Sequence, residues 1–249
     1  MNITAFYNGA AAQYAKFRRP QKEFEAVDRF IPLTGRSILD TGCGDGVISR
    51  YMALKGKQVT AFDISAEMIR IAASMQVEGC SFLVEDMQHF QPDAGTMFDG
   101  AVFLYSLIHN TKEETVSILR RISQFFNPNG SVLFVALHSN GLNSDCVTSV
   151  TVPSQFSDER VELYLWSVEA LYKVFLDLGL SSVEISVRLP ESNELPFPRI
   201  YAIGCKSQNV SQTGCENLAV GLAVLRISSH QDVFSDFLYS GQSFIFSVR

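Results

Sequence analysis

The residues best suited to chemistry lie between positions 38 and 86 of the chain. They are a glycine-rich segment, Ile38-Leu-Asp-Thr-Gly-Cys-Gly-Asp-Gly46, and three carboxylates, Asp40, Asp63 and Asp86. Three glycines follow a short buried run and precede a helical pattern. Glycine there tolerates positive φ and lets the backbone approach a ligand with no Cβ in the way. Amides at the start of the following helix favour anionic or electron-rich ligand groups. Asp63 closes the next apolar run, 21 positions after Gly42. A carboxylate at that place in an open α/β sheet accepts hydrogen bonds from ribose hydroxyls. Asp86 closes the third run in Leu83-Val-Glu-Asp-Met87 and is suited to accept from an exocyclic amine. Each acid alone reads as a solvated strand end. One at the end of each of three successive strands points to a nucleotide-type crevice.

The elements that must position these residues alternate. Ser37–Asp40, Gln58–Asp63, Ser81–Val84, Phe98–Leu104 and Ser131–Ala136 read as strands. Helical spacing fills Glu23–Phe30 and Val47–Leu54. Ser65 caps a helix carrying Met68, Ile69 and Ile71, and Thr111 with Glu114 forms a capping box ahead of Val116, Leu119, Ile122 and Phe125. Strands separated by helices predict a Rossmann-like α/β fold, a mostly parallel sheet with helices on both faces. Beyond His138 the rhythm breaks. Segment 138–166 is polar and turn-rich, with strand patterns at Val147–Val152 and Arg160–Trp166, and long connections of this kind serve as lids or binding loops. Ser167 caps a last helix ended by Gly179, and Val183–Val187 with Arg199–Ile203 make a final strand pair, the last strand antiparallel. The expected organisation is an N-terminal cap and first helix (1–34), a main domain (35–206) and a C-terminal extension (207–249). That extension holds only five charged residues and eight serines, and carries no motif.

Composition narrows the class. Of 249 residues 47% are hydrophobic and 18% charged, which excludes disorder over most of the chain. A net charge of −6 argues against a phosphate backbone as the main partner. Five scattered cysteines and four dispersed histidines form neither a disulfide framework nor a metal-ligand spacing, so no metal is expected. The first twenty residues lack the basic start and apolar run of a signal peptide, and no apolar stretch is long enough to span a bilayer. A cytoplasmic protein is expected.

On these residues the sequence resembles the class I S-adenosylmethionine-dependent methyltransferases of the small-molecule type, from about residue 5 to 206. The family's first motif, an acid two residues before G-x-G-x-G, is matched by Asp40, Gly42, Gly44 and Gly46, its ribose acid by Asp63 and its adenine-side acid by Asp86. Phe98–His109 resembles the segment around the fourth strand, and Tyr14-Ala-Lys-Phe-Arg-Arg-Pro20 the cap that closes over the cofactor in relatives. The resemblance implies S-adenosyl-L-methionine as cofactor. Gly42, Cys43 and Gly44 would face its methionine part, Asp63 and Ile64 its ribose, and Met68 the ribose or adenine. Asp86 and Met87 would hold the adenine, and Phe103 or Leu104 the sulfonium end. Tyr14 belongs to the cap, and Arg19 is suited to fork onto the cofactor carboxylate. His109, just past the fourth strand, would be the catalytic residue, as base or as substrate orienter, with a structural role the alternative. Tyr7, Tyr14, Tyr105 and Trp166 are candidates for an aromatic pocket, with core packing the alternative for at least two of them.

The acceptor is expected to be a small molecule attacking through oxygen, nitrogen or carbon. No N-P-P-Y, D-P-P-Y or Pro-Cys occurs, so nucleic acid is a poor candidate. Rival readings are a non-catalytic cofactor-binding partner subunit and an NAD(P)-dependent oxidoreductase, whose fingerprint G-x-G-x-x-G is absent from this loop. A homodimer through the C-terminal extension is a further expectation.

Overall fold

The computed structural model describes residues 2–128, 130–142, 144–206 and, as backbone, 224–227. Two helices open the chain, α1 (Ile3–Tyr14) and α2 (Gln21–Phe30), the second running into a 3-10 turn at Ile31–Leu33. Then follow β1 (Ser37–Thr41), α3 (Val47–Leu54), β2 (Gln58–Asp63), α4 (Ala66–Ser74), β3 (Cys80–Val84), β4 (Gly100–Leu104), α5 (Lys112–Ser123) and β5 (Val132–His138). After these come β6 (Val147–Pro153), β7 (Arg160–Trp166), α6 (Val168–Asp177), β8 (Leu180–Arg188), β9 (Arg199–Lys206) and β10 (Val224–Ile227). The expected α/β class holds. The main sheet has the order β10-β8-β9-β5-β4-β1-β2-β3, and β9 runs antiparallel to both β5 and β8 while the other pairings are parallel.

Strand alternation explains the two-faced core. Along β5 every residue is buried; Leu133, Val135 and Leu137 pack on one face with Ile118, Leu119 and Ile122 of α5 and Leu171, Val174 and Phe175 of α6. Val132, Phe134 and Ala136 pack on the other with Ala26, Val27 and Phe30 of α2 and Ile48 and Met52 of α3. Residues of period two reach opposite faces, which is why the central strands read as continuous apolar runs. Edge strand β3 is only half covered, with Leu83 and Val84 exposed.

The interruption after β5 is a hairpin, β6 paired antiparallel with β7 as a separate two-stranded sheet. Val161, Leu163 and Leu165 of β7 and the wholly buried Trp166 anchor it to the α5–α6 side of the core. Tyr164 donates its N–H to the carbonyl of Ile108, tying the hairpin to the segment after β4. Trp166 is therefore a core residue and not a pocket wall. The expected dimer through 207–249 falls outside the described residues, save for 224–227, whose backbone pairs with β8 of the same chain. No helix among the described residues is long and apolar enough to cross a membrane.

Helix α5, which carries the chain from β4 to β5, starts on the expected capping box. Thr111 Oγ1 accepts from the Glu114 N–H at 3.2 Å, and Glu114 Oε2 accepts from the Thr111 N–H at 2.8 Å. Thr111→Ala should cost about 1 kcal/mol. Urea unfolding would then show a lower midpoint at unchanged slope; an unchanged midpoint would mean that packing alone holds the helix start.

Candidate functional site

Strand order reverses between β1 and β4, and the crevice outside the carboxyl ends of such strands is where open α/β sheets bind ligands. A cavity lies there, lined by residues following β1, β2, β3 and β4 and by two tyrosines of α1. The β1–α3 turn is built on glycine for steric reasons. Gly42 has φ +71°, and a Cβ on it would sit 2.4 Å from the Ser106 Cβ, so the backbone itself forms the cavity floor. Gly42 and Cys43 both donate their N–H to the Phe62 carbonyl at 2.9 Å, lashing the turn to the end of β2.

Asp63 completes that lashing. Its Oδ2 accepts from the Gly44 N–H and its Oδ1 from the Ser65 N–H, both at 2.9 Å. Burial pushes its carboxyl above the ordinary range, opposed by the N–H groups of Ser65, Gly44 and Ile64. These N–H groups do not fill the acceptor capacity of the carboxylate. Ser65 also caps α4, its Oγ accepting from the Met68 N–H at 3.2 Å, and Ile64 and Met68 line the cavity beside Asp63. Asp86 orders the chain after β3, its Oδ1 accepting from the Gln88 N–H at 2.8 Å and its Oδ2 lying 3.1 Å from His89 Nδ1.

Helix α1 forms the roof. Asn8 Oδ1 accepts from Ser65 Oγ at 2.8 Å and from the Glu67 N–H at 3.2 Å, pinning α1 to the start of α4. Tyr14 then lies over the glycine turn, 3.3 Å from where a Gly44 Cβ would be, and Phe156 of the β6–β7 loop packs on it with ring centroids 4.7 Å apart. Past β4, Tyr105 is the one non-glycine residue with positive φ among the described residues (+59°), a conformation that costs a bulky side chain of order 1–3 kcal/mol. Its hydroxyl donates to Tyr201 Oη at 3.0 Å, and the Arg188 Nε–H donates to the same oxygen at 2.9 Å. Ser106 Oγ, beside Gly42, is buried with no protein partner.

Of the residues expected at a cofactor site, the cavity brings together Tyr14, Gly42, Gly44, Asp63, Ile64, Met68, Asp86, Met87 and Leu104, with His109 at the same cavity. Four others are not on its wall. Asp40 lies behind the turn, accepting from Ser49 Oγ at 2.5 Å. Cys43 is buried in the core, and burial with Asp40 and Asp63 nearby holds its thiol well above the usual range. Phe103 is wholly buried beneath the cavity. Arg19 turns its fork inward, donating to Asp45 Oδ1 at 3.0 Å and Tyr14 Oη at 3.2 Å, with Glu23 at 3.5 Å. Its charge is matched by the chain's own carboxylates. Sequence reasoning did not name Ile3, Ser106 or Asn110, which also line the cavity. Their only signal was position, directly beyond a strand end or on a helix whose run of small residues hides its amphipathic pattern. Among the described residues, no group of three or more His, Cys, Asp or Glu side chains is placed to hold a metal ion.

This strand order and a glycine turn faced by strand-end carboxylates at the switch point define the class I S-adenosylmethionine-dependent methyltransferase fold. Residues 38–130 of the chain match the family model described as a methyltransferase domain. The ubiquinone biosynthesis O-methyltransferase of Chromobacterium violaceum is 31% identical over 120 residues, 46% of this chain and 50% of that protein. Its counterpart in Xanthomonas campestris is 32% identical over 133 residues, 48% and 54% respectively. The chain thus spans about half the length of these curated relatives. Among solved structures, the DhpI–SAH complex matches with a TM-score of 0.61 at 20% identity, covering 83% of this chain and 96% of that one. The CcbJ methyltransferase of Streptomyces caelestis matches at 0.61 and 13%, covering 84% and 100%. At such identities the likeness is one of fold.

Asp40 generates a test of how the turn is held. Burial pushes its carboxyl up to about 6 from 3.8. A raised folded-state value means that the folded chain holds this proton more tightly, so the contribution is present below about pH 4 and is lost as pH rises towards 6. The cost is at most about 3 kcal/mol. Asp40→Asn should keep the acceptor for Ser49 and remove that part of the slope in stability between these pH values. Parallel slopes for variant and wild type in urea unfolding would show that Asp40 titrates normally.

Proposed function

We propose that the protein is an S-adenosylmethionine-dependent methyltransferase acting on a small-molecule acceptor. The observation that carries this reading is the convergence of the Gly42–Gly44 backbone, Asp63 and Asp86 on one cavity from the ends of three successive strands. The residues fit the cofactor. A floor that a Cβ would fill and the partnerless Ser106 Oγ suit its polar amino-acid end, and Asp63 has free acceptor sites for ribose hydroxyls. Asp86 and Met87 would hold the adenine beside the apolar Ile64 and Met68, and Leu104 would face the sulfonium end. Arg19 acts at one remove, fixing Tyr14 and Asp45 around the turn. Asp40 and Cys43 shape the turn from behind.

When bound, the sulfonium supplies an already activated methyl group. The protein's own task is then to hold a nucleophile in line and to exclude water, and positioning supplies up to about 7–11 kcal/mol in the best intramolecular cases. The acceptor end of the cavity is formed by Tyr7, Tyr105, His109 and Asn110, with His109 as the catalytic residue. The hairpin 138–166 serves as the substrate-side insertion of the main domain 35–206, since Phe156 closes onto Tyr14 from its tip. Relatives named as O-methyltransferases favour an oxygen acceptor.

Calorimetric titration with S-adenosylhomocysteine should show micromolar binding, about −8 kcal/mol, and NADH none. Asp63→Ala should weaken it by about 1.5–3 kcal/mol, the worth of a hydrogen bond to a charged group. No binding of S-adenosylhomocysteine, or an affinity indifferent to Asp63, would overturn the reading.

A further inference from the structure

At the acceptor end of the cavity, three segments distant in the chain meet through one imidazole. Tyr7 Oη, from α1, lies 2.8 Å from His109 Nε2, and His109 Nδ1 lies 2.8 Å from the carbonyl oxygen of Glu162 on β7. A carbonyl only accepts, so the His109 proton sits on Nδ1. Nε2 then presents its lone pair, and the Tyr7 hydroxyl donates to it. The hydrogen bonds have a single direction, from the cavity through Tyr7 to His109. Both side chains also line the cavity.

We propose that Tyr7 and His109 form a two-residue proton acceptor, and that the methyl acceptor attacks through a hydroxyl oxygen that surrenders its proton to this pair. The proposal rests on the methyltransferase reading. Tyr7 Oη takes the hydroxyl proton as its own proton moves to His109 Nε2, and the resulting imidazolium keeps its Nδ1–H bond to Glu162. The hydroxyl's electron pair forms the new O–C bond, and the pair of the broken S–C bond stays on sulfur. Tyr7 is left neutral, and the net proton is on His109.

The surroundings suit this division of labour. Burial, with Tyr14 on α1 and Asp63 on β2 nearby, pushes the Tyr7 phenol well above its ordinary value, so Tyr7 relays a proton and does not store a charge. Burial holds His109 below its ordinary value, opposed by its bond to Glu162, so it is neutral and ready to accept at neutral pH. The other titratable group near it is His138 at the end of β5, which burial and Arg199 keep uncharged. A neutral amine already has a free lone pair and needs no such pair before attack. A hydroxyl does.

The test uses the full chain loaded with S-adenosylhomocysteine. NMR of nitrogen-labelled histidine should find His109 neutral with its proton on Nδ1, and Tyr7→Phe should raise its pKa, because the bond stabilising the neutral ring is lost. Added para-nitrophenol should bind as phenolate below the pH at which the free dye ionises, while His109 becomes imidazolium. That ionisation should vanish in Tyr7→Phe and in His109→Gln, with calorimetry on the same samples confirming that S-adenosylhomocysteine still binds. A proton on Nε2, a dye bound neutral, a dye that does not bind while para-nitroaniline does, or ionisation that survives Tyr7→Phe overturns the pair. Loss of S-adenosylhomocysteine binding in the wild type instead overturns the methyltransferase reading beneath it.

Discussion

One carboxylate holds the site together. Asp63 closes β2 and accepts one N–H from the β1–α3 turn and one from the β2–α4 turn, at Gly44 and Ser65. Hydrogen bonds to an ionised acceptor are roughly twice as strong as neutral ones. These two freeze the relative position of the glycine turn and the start of α4. Everything else at the crevice hangs on that registration: Ser65 is free to cap α4 and to bind Asn8, and Asn8 brings α1 down as the roof. Burial raises the cost of losing either N–H to about 1.5–3 kcal/mol, the worth of a hydrogen bond to a charged group.

The opposite wall depends on strain. Tyr105 occupies a left-handed conformation that glycine would take freely, and it is retained because its ring and hydroxyl are gripped from behind. Tyr201 accepts its hydrogen bond, Arg188 donates to Tyr201, and Glu194 is paired with both Arg188 and Arg199, all deep in the protein. The turn after β4 is thereby aimed so that Ser106 meets Gly42 and His109 meets Tyr7 and Glu162. The end of the cavity at the glycine turn is therefore shaped by local turns, and the end at His109 by contacts from α1, the β4–α5 segment and the inserted hairpin.

That contrast explains what was legible in the sequence. Strands β4 and β5 announced themselves because burial on both faces makes them continuous apolar runs, and α3, β2 and β7 have the bounds that periodicity predicts. That Gly42, Gly44, Asp63 and Asp86 meet at one crevice was legible because each sits at a strand end, a local property. Arg19 was not. A bidentate fork suits any carboxylate, and only the fold reveals that Asp45 and Glu23 already face it. Trp166 was legible only as pocket or core, because an aromatic side chain carries no mark of which side of a hairpin it occupies. The Tyr7–His109–Glu162 chain joins residues about fifty to a hundred positions apart, and no spacing rule reaches across such distances.

The most direct measurement is a crystal structure of the protein with S-adenosylhomocysteine. The account predicts the ribose hydroxyls on the free acceptor sites of Asp63, with its bonds to Gly44 and Ser65 intact, and the adenine beside Asp86 and Met87. A ligand bound elsewhere, or one that displaces Gly44 from Asp63, would contradict it.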